Sequence, residues 1–303
     1  MNQRIKRMIE RQRAKFEREC QDREMPRGAM SGIIQYRDIP YLEDGNPKHR
    51  LDVFISSNEP GYLPIVINIH GGGLVMGNKE YNRHFCAKLA KLGFLVFAIE
   101  YRLCPEVTVM DQLEDVARAM DYVQSVAQEY GGLSDHVILI GDSAGAFLAY
   151  YTAAIQNSKV IRDAFGVTPS SLPIRELSLI CGMFYTTAMD RIGLLLAPML
   201  YGPEYRSKPY YKYLDPGNRE VCRAVPPCVF LSSTGDPLLK YTMRLKKALR
   251  RNGRPSVLSI HANKKLPHAF CVVDPDQEDS IDAIESLALY LQYQECEEGG
   301  TNQ

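Results

Sequence analysis

The sequence predicts an α/β fold in which a mostly parallel central sheet carries helices on both faces and one long insertion forms a cap. Two observations predict the sheet. Short, unbroken runs of aliphatic and β-branched residues recur along the chain, the pattern of strands buried on both faces. Helix-period segments separate them, and such alternation builds parallel strands with crossovers on both sides. The cap rests on a third observation. About forty residues lie between the strands near 180 and 229, where a crossover needs only about a dozen.

In chain order, residues 3 to 20 place Ile5, Met8, Ile9 and Phe16 among many charges, an amphipathic helix pattern. Acidic residues interleave with the basic ones, which favours a helix docked on the body over a membrane-surface helix; a mobile lid is the other functional reading. Ile33 to Leu42 and Arg50 to Ile55 read as strands. The turn-rich Glu43-Asp44-Gly45-Asn46-Pro47 joins them as an antiparallel hairpin at a sheet edge. Leu63 to Ile69 is a buried-type strand that runs straight into His70-Gly71-Gly72-Gly73. A helix over Lys79 to Leu92, with Asn78 as its N-cap, leads to the strand Phe94 to Ile99. Asp111 to Tyr130 puts Leu113, Val116, Met120, Val123 and Ala127 on one face and stops at Gly131-Gly132, so it is a helix.

Val137 to Ile140 is the next buried-type strand, followed by Gly141-Asp142-Ser143-Ala144-Gly145 and a helical segment over Ala146 to Ile155. Strand, G-x-S-x-G, helix is the context of a nucleophile elbow. A serine on so sharp a turn needs residues without bulk two before and two after it, here Gly141 and Gly145. The helix N-terminus supplies N–H groups where an oxyanion would form. A glycine-rich turn that merely contains a serine is the alternative. Strands at Leu177 to Cys181, Val229 to Ser232 and Ser256 to His261 then alternate with helices at Leu238 to Arg251 and Ser280 to Tyr293. The long connection holds Leu194-Leu195-Leu196, Met199, Leu200 and Tyr201, Tyr205, Tyr210, Tyr211 and Tyr213. Such apolar and aromatic content suits a cap that walls a pocket, or a subdomain packed on the sheet.

Composition excludes several classes. The 303 residues carry 36 Lys and Arg against 36 Asp and Glu, so no net charge recruits nucleic acid or an anionic membrane. No apolar run approaches the ~20 residues of a membrane span, and the charged start lacks a signal core; the protein is expected in the cytoplasm. Cys20, Cys86, Cys104, Cys181, Cys222, Cys228, Cys271 and Cys296 form neither C-x-x-C pairs nor metal spacing. They read as free, mostly buried thiols, and no metal site is expected.

A nucleophilic serine needs a base, and the base an orienter. Only His261 and His268 follow Ser143 in the chain. His261 sits in a strand and reads as structural, whereas His268 lies in the loop after it, so His268 is the expected base. Asp236 follows the strand Cys228 to Ser233 at its C-terminal end, where open α/β sheets build their sites. It is preferred over Asp215 and Glu220 in the presumed cap. The glycines after His70 let the backbone approach a ligand closely, and their N–H groups, with that of Ala144, suit a developing negative charge. A phosphate cradle would need the Gly-Lys-Ser/Thr ending that is missing here. His70 itself reads as an anchor for this loop.

Together, HGGG at 70–73, Tyr101-Arg102-Leu103-Cys104-Pro105-Glu106, Glu114-Asp115, GDSAG at 141–145, Asp236-Pro237-Leu238 and His268-Ala269-Phe270 resemble the hormone-sensitive-lipase family of α/β-hydrolase esterases, in register from about 50 to 293. The resemblance implies an α/β-hydrolase core over 33–184 and 223–297. It implies a cap from 1–32 and 185–222, and 298–303 is left as an expected disordered tail. It also implies an oxyanion hole from Gly72, Gly73 and Ala144, and cofactor-free hydrolysis of short to medium acyl esters. The partner is then a small-molecule ester, without nucleic acid or stable membrane insertion, and a homodimer is left open. An amidase or thioesterase would use the same residues. A non-catalytic ligand-binding member is the remaining class, against which Ser143, Asp236 and His268 argue together. Glu100 and Cys104 stand where the family usually has Asp and Ala.

Overall fold

The computed structural model describes residues 3–21, 25–58, 61–254 and 256–299. Helix α1 (Gln3–Gln21) precedes strands β1 (Ile33–Pro40), β2 (Arg50–Ser56) and β3 (Leu63–Ile69). Then come α2 (Arg83–Lys91), β4 (Leu95–Ile99), α3 (Val109–Val126), β5 (Gly132–Asp142), α4 (Ala144–Asn157), α5 (Lys159–Phe165) and β6 (Glu176–Ile180). The chain continues through α6 (Arg191–Tyr201), α7 (Arg219–Ala224), β7 (Cys228–Ser233), α8 (Leu239–Arg251), β8 (Ser256–His261), α9 (Phe270–Val273) and α10 (Glu278–Gly299). Among the described residues no helix is long and apolar enough to cross a membrane.

The eight strands form one sheet in the order β1-β2-β4-β3-β5-β6-β7-β8. The expected hairpin is there: β1 pairs antiparallel with β2, and β2 antiparallel with β4. The other five pairings are parallel. Every residue of β3, β4 and β6 is buried, which is why these strands read as continuous apolar runs rather than as alternation. On one face, Ile65, Ile67, Leu139 and Leu179 pack with α3, α4 and α8. On the other, Val66, Val96, Ile138 and Ile140 pack with α2 and α10. Fully burying each such side chain contributes about 1.5–3 kcal/mol.

The topology places the site. After β3 the chain moves to one side of the sheet, building β4, and after β5 it moves to the other. The crevice of such a sheet opens between β3 and β5, whose residues Ile69 and Gly141 are paired at the C-terminal edge. His70-Gly73 and Ser143 leave the sheet side by side there.

Several boundaries differ from the sequence reading. The segment 79–92 opens as a 3₁₀ turn, Lys79–Asn82, and it is this turn that the Asn78 side chain caps, accepting from Tyr81 N–H. Helix α3 starts at Val109, behind a capping box of Thr108 and Asp111, and relaxes into a 3₁₀ turn over Ala127–Tyr130 that Gly131 ends at φ 80°. Helix α10 runs to Gly299, so the first residues of the expected tail are helical, while 300–303 lie outside the described residues. Short helices α5, α7 and α9 escaped the sequence reading because four to seven residues are too few to show a period.

Between β6 and β7, helix α6 packs against α3, and of two 3₁₀ turns (Tyr205–Ser207 and Pro209–Tyr213) the second packs against α4 and α5. Tyr201, Tyr205 and Tyr213 are buried in that packing, the Tyr201 hydroxyl shares a hydrogen bond with Thr186 (2.6 Å), and Tyr151 donates to the Tyr213 carbonyl (2.8 Å). Only Tyr211 of the five tyrosines is well exposed. Helix α1 docks through buried Ile9, Phe16 against Tyr81, and Arg13, whereas Met8 faces solvent. The cysteines at 86, 104, 181, 222, 228 and 271 are free and buried; the side chains of Cys20 and Cys296 lie outside the described residues.

Candidate active site

Ser143 stands alone between β5 and α4 at φ 52° and ψ −110°, a backbone that an L-residue rarely adopts. The flanking glycines make that turn possible. A Cβ on Gly145 would fall 1.9 Å from the Ile69 carbonyl oxygen, and one on Gly141 would fall 2.3 Å from Gly145. Helix α4 can therefore start directly beneath the serine, tight against β3. Ser143 N–H donates to Ile180 O (2.8 Å) and its carbonyl accepts from Met183 N–H (2.9 Å), so the turn is held from β6 as well.

The glycine loop is fixed by a carboxylate that the sequence reading treated only as part of the elbow. Asp142 Oδ1 accepts from Gly71 N–H (3.0 Å) and from Asn82 Nδ2 (2.8 Å), and Asn82 also donates to Asn68 (3.0 Å). Burial pushes the Asp142 carboxyl up, while Asn82, His70, His268 and the Gly71 N–H pull it down; the net shift is upward. Gly72 at φ 111° has no room for a Cβ, which would meet the Met76 carbonyl at 2.1 Å; Gly73 is at φ 65°. Among the described residues, no loop carbonyl or side chain takes the N–H groups of Gly72, Gly73 or Ala144.

His70 holds this loop from below. Its Nδ1 donates to the Gly71 carbonyl (2.7 Å), its ring stacks on Tyr101 at 4.2 Å, and the Tyr101 hydroxyl donates to the His70 carbonyl (2.8 Å). Burial keeps the imidazole neutral by pushing its pKa down. Both departures from the family pattern lie here. Glu100 accepts from the Lys79 N–H (2.8 Å) and pairs with Lys48, and Cys104 N–H donates to the Leu74 carbonyl (2.9 Å). Arg13 of α1 reaches the same place, donating to the carbonyls of Val75 (2.6 Å) and Cys104 (2.7 Å) and to both oxygens of Glu106 (2.7 and 3.0 Å).

Two strands away, Asp236 and His268 meet. His268 Nδ1 lies 2.8 Å from Asp236 Oδ1, which also accepts Leu238 N–H (2.9 Å), and Ser232 Oγ donates to Oδ2 (2.8 Å). Burial alone would raise the Asp236 carboxyl, but the hydrogen bonds from His268, Leu238 N–H and Ser232 outweigh it, so Asp236 stays ionised. The carboxylate is fully enclosed while the imidazole is about one-third exposed. His261 is turned elsewhere, with Nδ1 3.7 Å from Asp279 and its ring against Phe270.

A family model described as alpha/beta hydrolase fold matches residues 66–272. The chain belongs to that family. Its motif set is that of the hormone-sensitive-lipase-like branch. A probable isoprenylcysteine alpha-carbonyl methylesterase of Oryza sativa subsp. japonica is 27% identical over 245 residues, covering 77% of this chain and 57% of that protein. The acetyl esterase of Salmonella dublin is 26% identical over 226 residues, covering 71% of this chain and 67% of that protein. Among solved structures, esterase B of Lactobacillus rhamnosis, in a crystal structure with a C4-C4 SN3 tributyrin phosphonate, superimposes over 100% of both chains with a TM-score of 0.90 at 21% identity, a likeness of fold. The chain thus spans little more than half the length of the rice relative.

In this α/β-hydrolase the structure adds residues that sequence reasoning passed over. Asn82, Asn68 and Ser232 hold polar groups just described, and each sits in an apolar strand or at a helix start where nothing in the local pattern marks it; Tyr101, in the loop after β4, was read only as part of a motif, and its bond to the His70 carbonyl is new. Cys181, the residue after β6, has φ 48°, and its Sγ lies 3.8 Å from Ser232 Oγ, beside Asp236 and His268.

Proposed function

We propose that this chain is a serine carboxylesterase for short to medium acyl esters, with Ser143 as nucleophile, His268 as general base and Asp236 as orienter. The observation that carries the reading is the Asp236–His268 hydrogen bond. With its proton on Nδ1 and shared with a buried, ionised carboxylate, the neutral imidazole keeps its Nε2 lone pair free to accept the serine proton.

Ser143 Oγ attacks the ester carbonyl as its proton passes to His268 Nε2. Negative charge collects on the carbonyl oxygen, where the N–H groups of Gly72, Gly73 and Ala144 receive it. Asp236 stabilises the imidazolium. The tetrahedral intermediate collapses, the C–O bond to the alcohol breaks, and the imidazolium gives its proton to the leaving alkoxide. Water, deprotonated by the same nitrogen, then attacks the acyl-enzyme and releases the acid and free Ser143. No step calls for a cofactor.

Residues 1–32 and 185–222 act as the cap in this reading. The Arg13 contacts to Val75 and Cys104 support it, because they join α1 to the loop that carries the oxyanion donors. A kinetic screen of acyl lengths on aryl and alkyl esters, with amides and thioesters alongside, tests the function. The highest kcat/KM is expected on short acyl esters; turnover of amides or thioesters in preference to esters would replace the reading.

A further inference from the structure

Cys181 is a buried thiol that the esterase mechanism does not use, yet it lies against the acid and base of the site. Its Sγ, an Asp236 carboxylate oxygen and a His268 ring nitrogen all lie within 4.8 Å of one another. In sequence the three are spread over residues 181, 236 and 268, which is why no metal spacing is visible. The ends of β6, β7 and β8 bring them together.

We propose that Cys181, Asp236 and His268 form an inhibitory site for a zinc-class divalent cation. Thiolate, imidazole and carboxylate are a zinc donor set, and three protein ligands leave a fourth position for water. Donors in a tetrahedral zinc site stand roughly 3–4 Å apart, so the His268 and Asp236 donors, 2.8 Å apart, open slightly, while the Cys181 sulfur, within 4.8 Å of both residues, closes by up to about 1 Å. His268 is about one-third exposed and free to shift, whereas Cys181 is buried and reaches the metal by turning its Sγ from its 3.8 Å contact with Ser232. The exposed imidazole edge is also the entry path. Ser232 donates to the other carboxylate oxygen and would orient Asp236 as a ligand.

The chemistry makes binding inhibitory. The metal takes the Nδ1 lone pair, so the imidazole proton moves from Nδ1 to Nε2, and the Cys181 thiol gives its proton to solvent. One proton is released in all. His268 then carries N–H toward Ser143 and can no longer accept the serine proton. This consequence rests on the proposed roles of Ser143 and His268, whereas binding itself does not.

The test combines two readouts on the whole chain. Cobalt(II) added to the wild-type protein should give a thiolate-to-cobalt charge-transfer band with the visible spectrum of a tetrahedral ion, and both should be lost in Cys181→Ser and Cys181→Ala. Zinc should inhibit ester hydrolysis reversibly, with EDTA restoring it and magnesium or calcium having no effect. Relative to each protein's own metal-free rate, the zinc concentration for half-inhibition should rise roughly tenfold or more in Cys181→Ser. Equal zinc sensitivity in the variant, or no thiolate–cobalt band in the wild type, would overturn the site. A band that depends on Cys181 in a protein found to hydrolyse no ester would support the site and overturn the esterase reading instead.

Discussion

The carboxylate of Asp142, one residue before Ser143, accepts the backbone N–H of Gly71 at 3.0 Å. The elbow and the glycine loop are thereby one unit, closed by Asn82 at 2.8 Å. Asp142→Ala would leave two buried donors unpaired, at a cost of about 1–3 kcal/mol. It would also let the loop drift, and kcat should fall by on the order of tenfold or more. Asp142→Asn keeps an oxygen acceptor and should stay much closer to wild type in both kcat and urea midpoint. Equal behaviour of the two variants would show that the link does not position the loop.

The two histidines after Ser143 test the proposed base against a packing residue. His268→Asn should lower kcat by several orders of magnitude, as loss of a group that acts with the nucleophile does. His261→Asn removes only the contacts to Asp279 and Phe270, so it should lower the melting temperature and leave kcat nearly intact. Similar catalytic losses would undo the assignment of the base.

The settings of the two histidines were legible in the sequence because they followed from position. A histidine in a loop and one inside a strand announce different roles, and Asp236 at the end of a strand sits where open sheets place their sites. The parallel sheet was legible for a related reason: strands buried on both faces must be apolar throughout. Asn82 and Cys181 were not legible, because their importance comes from groups about 50 to 90 residues away that only the fold brings near, and Ser232 was not, because a serine inside an apolar strand gives no sign that the loop after it turns Asp236 back onto its hydroxyl. Nor was the buried state of most cap tyrosines. A tyrosine run suits a pocket wall and a packed subdomain equally, and only the fold shows the Tyr201 hydroxyl bonded to Thr186 and the Tyr213 carbonyl accepting from Tyr151.

Glu176, at the start of β6, predicts a pH dependence of stability. Burial raises its carboxyl from 4.5 to about 7, against weaker opposing effects of Tyr290 and Arg175. Between those values the folded protein holds a proton that the unfolded chain releases, so this group's contribution to stability declines as pH rises from about 4.5 through about 7 and is constant above. Glu176→Gln should therefore stabilise the protein at pH 8 by on the order of 3 kcal/mol and have little effect near pH 4.5. Urea unfolding at the two pH values checks this; an equal shift at both would contradict it.

Arg13 ties α1 to the loop that carries Gly72 and Gly73. Arg13→Ala leaves the sheet untouched but frees the Val75 and Cys104 carbonyls, so the circular dichroism spectrum should be unchanged while kcat/KM falls by about tenfold. The acyl-length preference should shift in the same variant. Unaltered rate and preference would make α1 an appendage rather than part of a cap.

The central claim is that Ser143 forms the acyl-enzyme, and covalent trapping tests it most directly. The protein is treated with an activated alkyl phosphonate ester, and residual activity is followed against adduct mass, with the modified residue mapped by peptide mass spectrometry. One adduct per chain, on Ser143, rising in step with loss of ester hydrolysis and absent in Ser143→Ala, is the predicted result. An adduct on another residue, or full activity in a chain whose Ser143 is labelled, would contradict it.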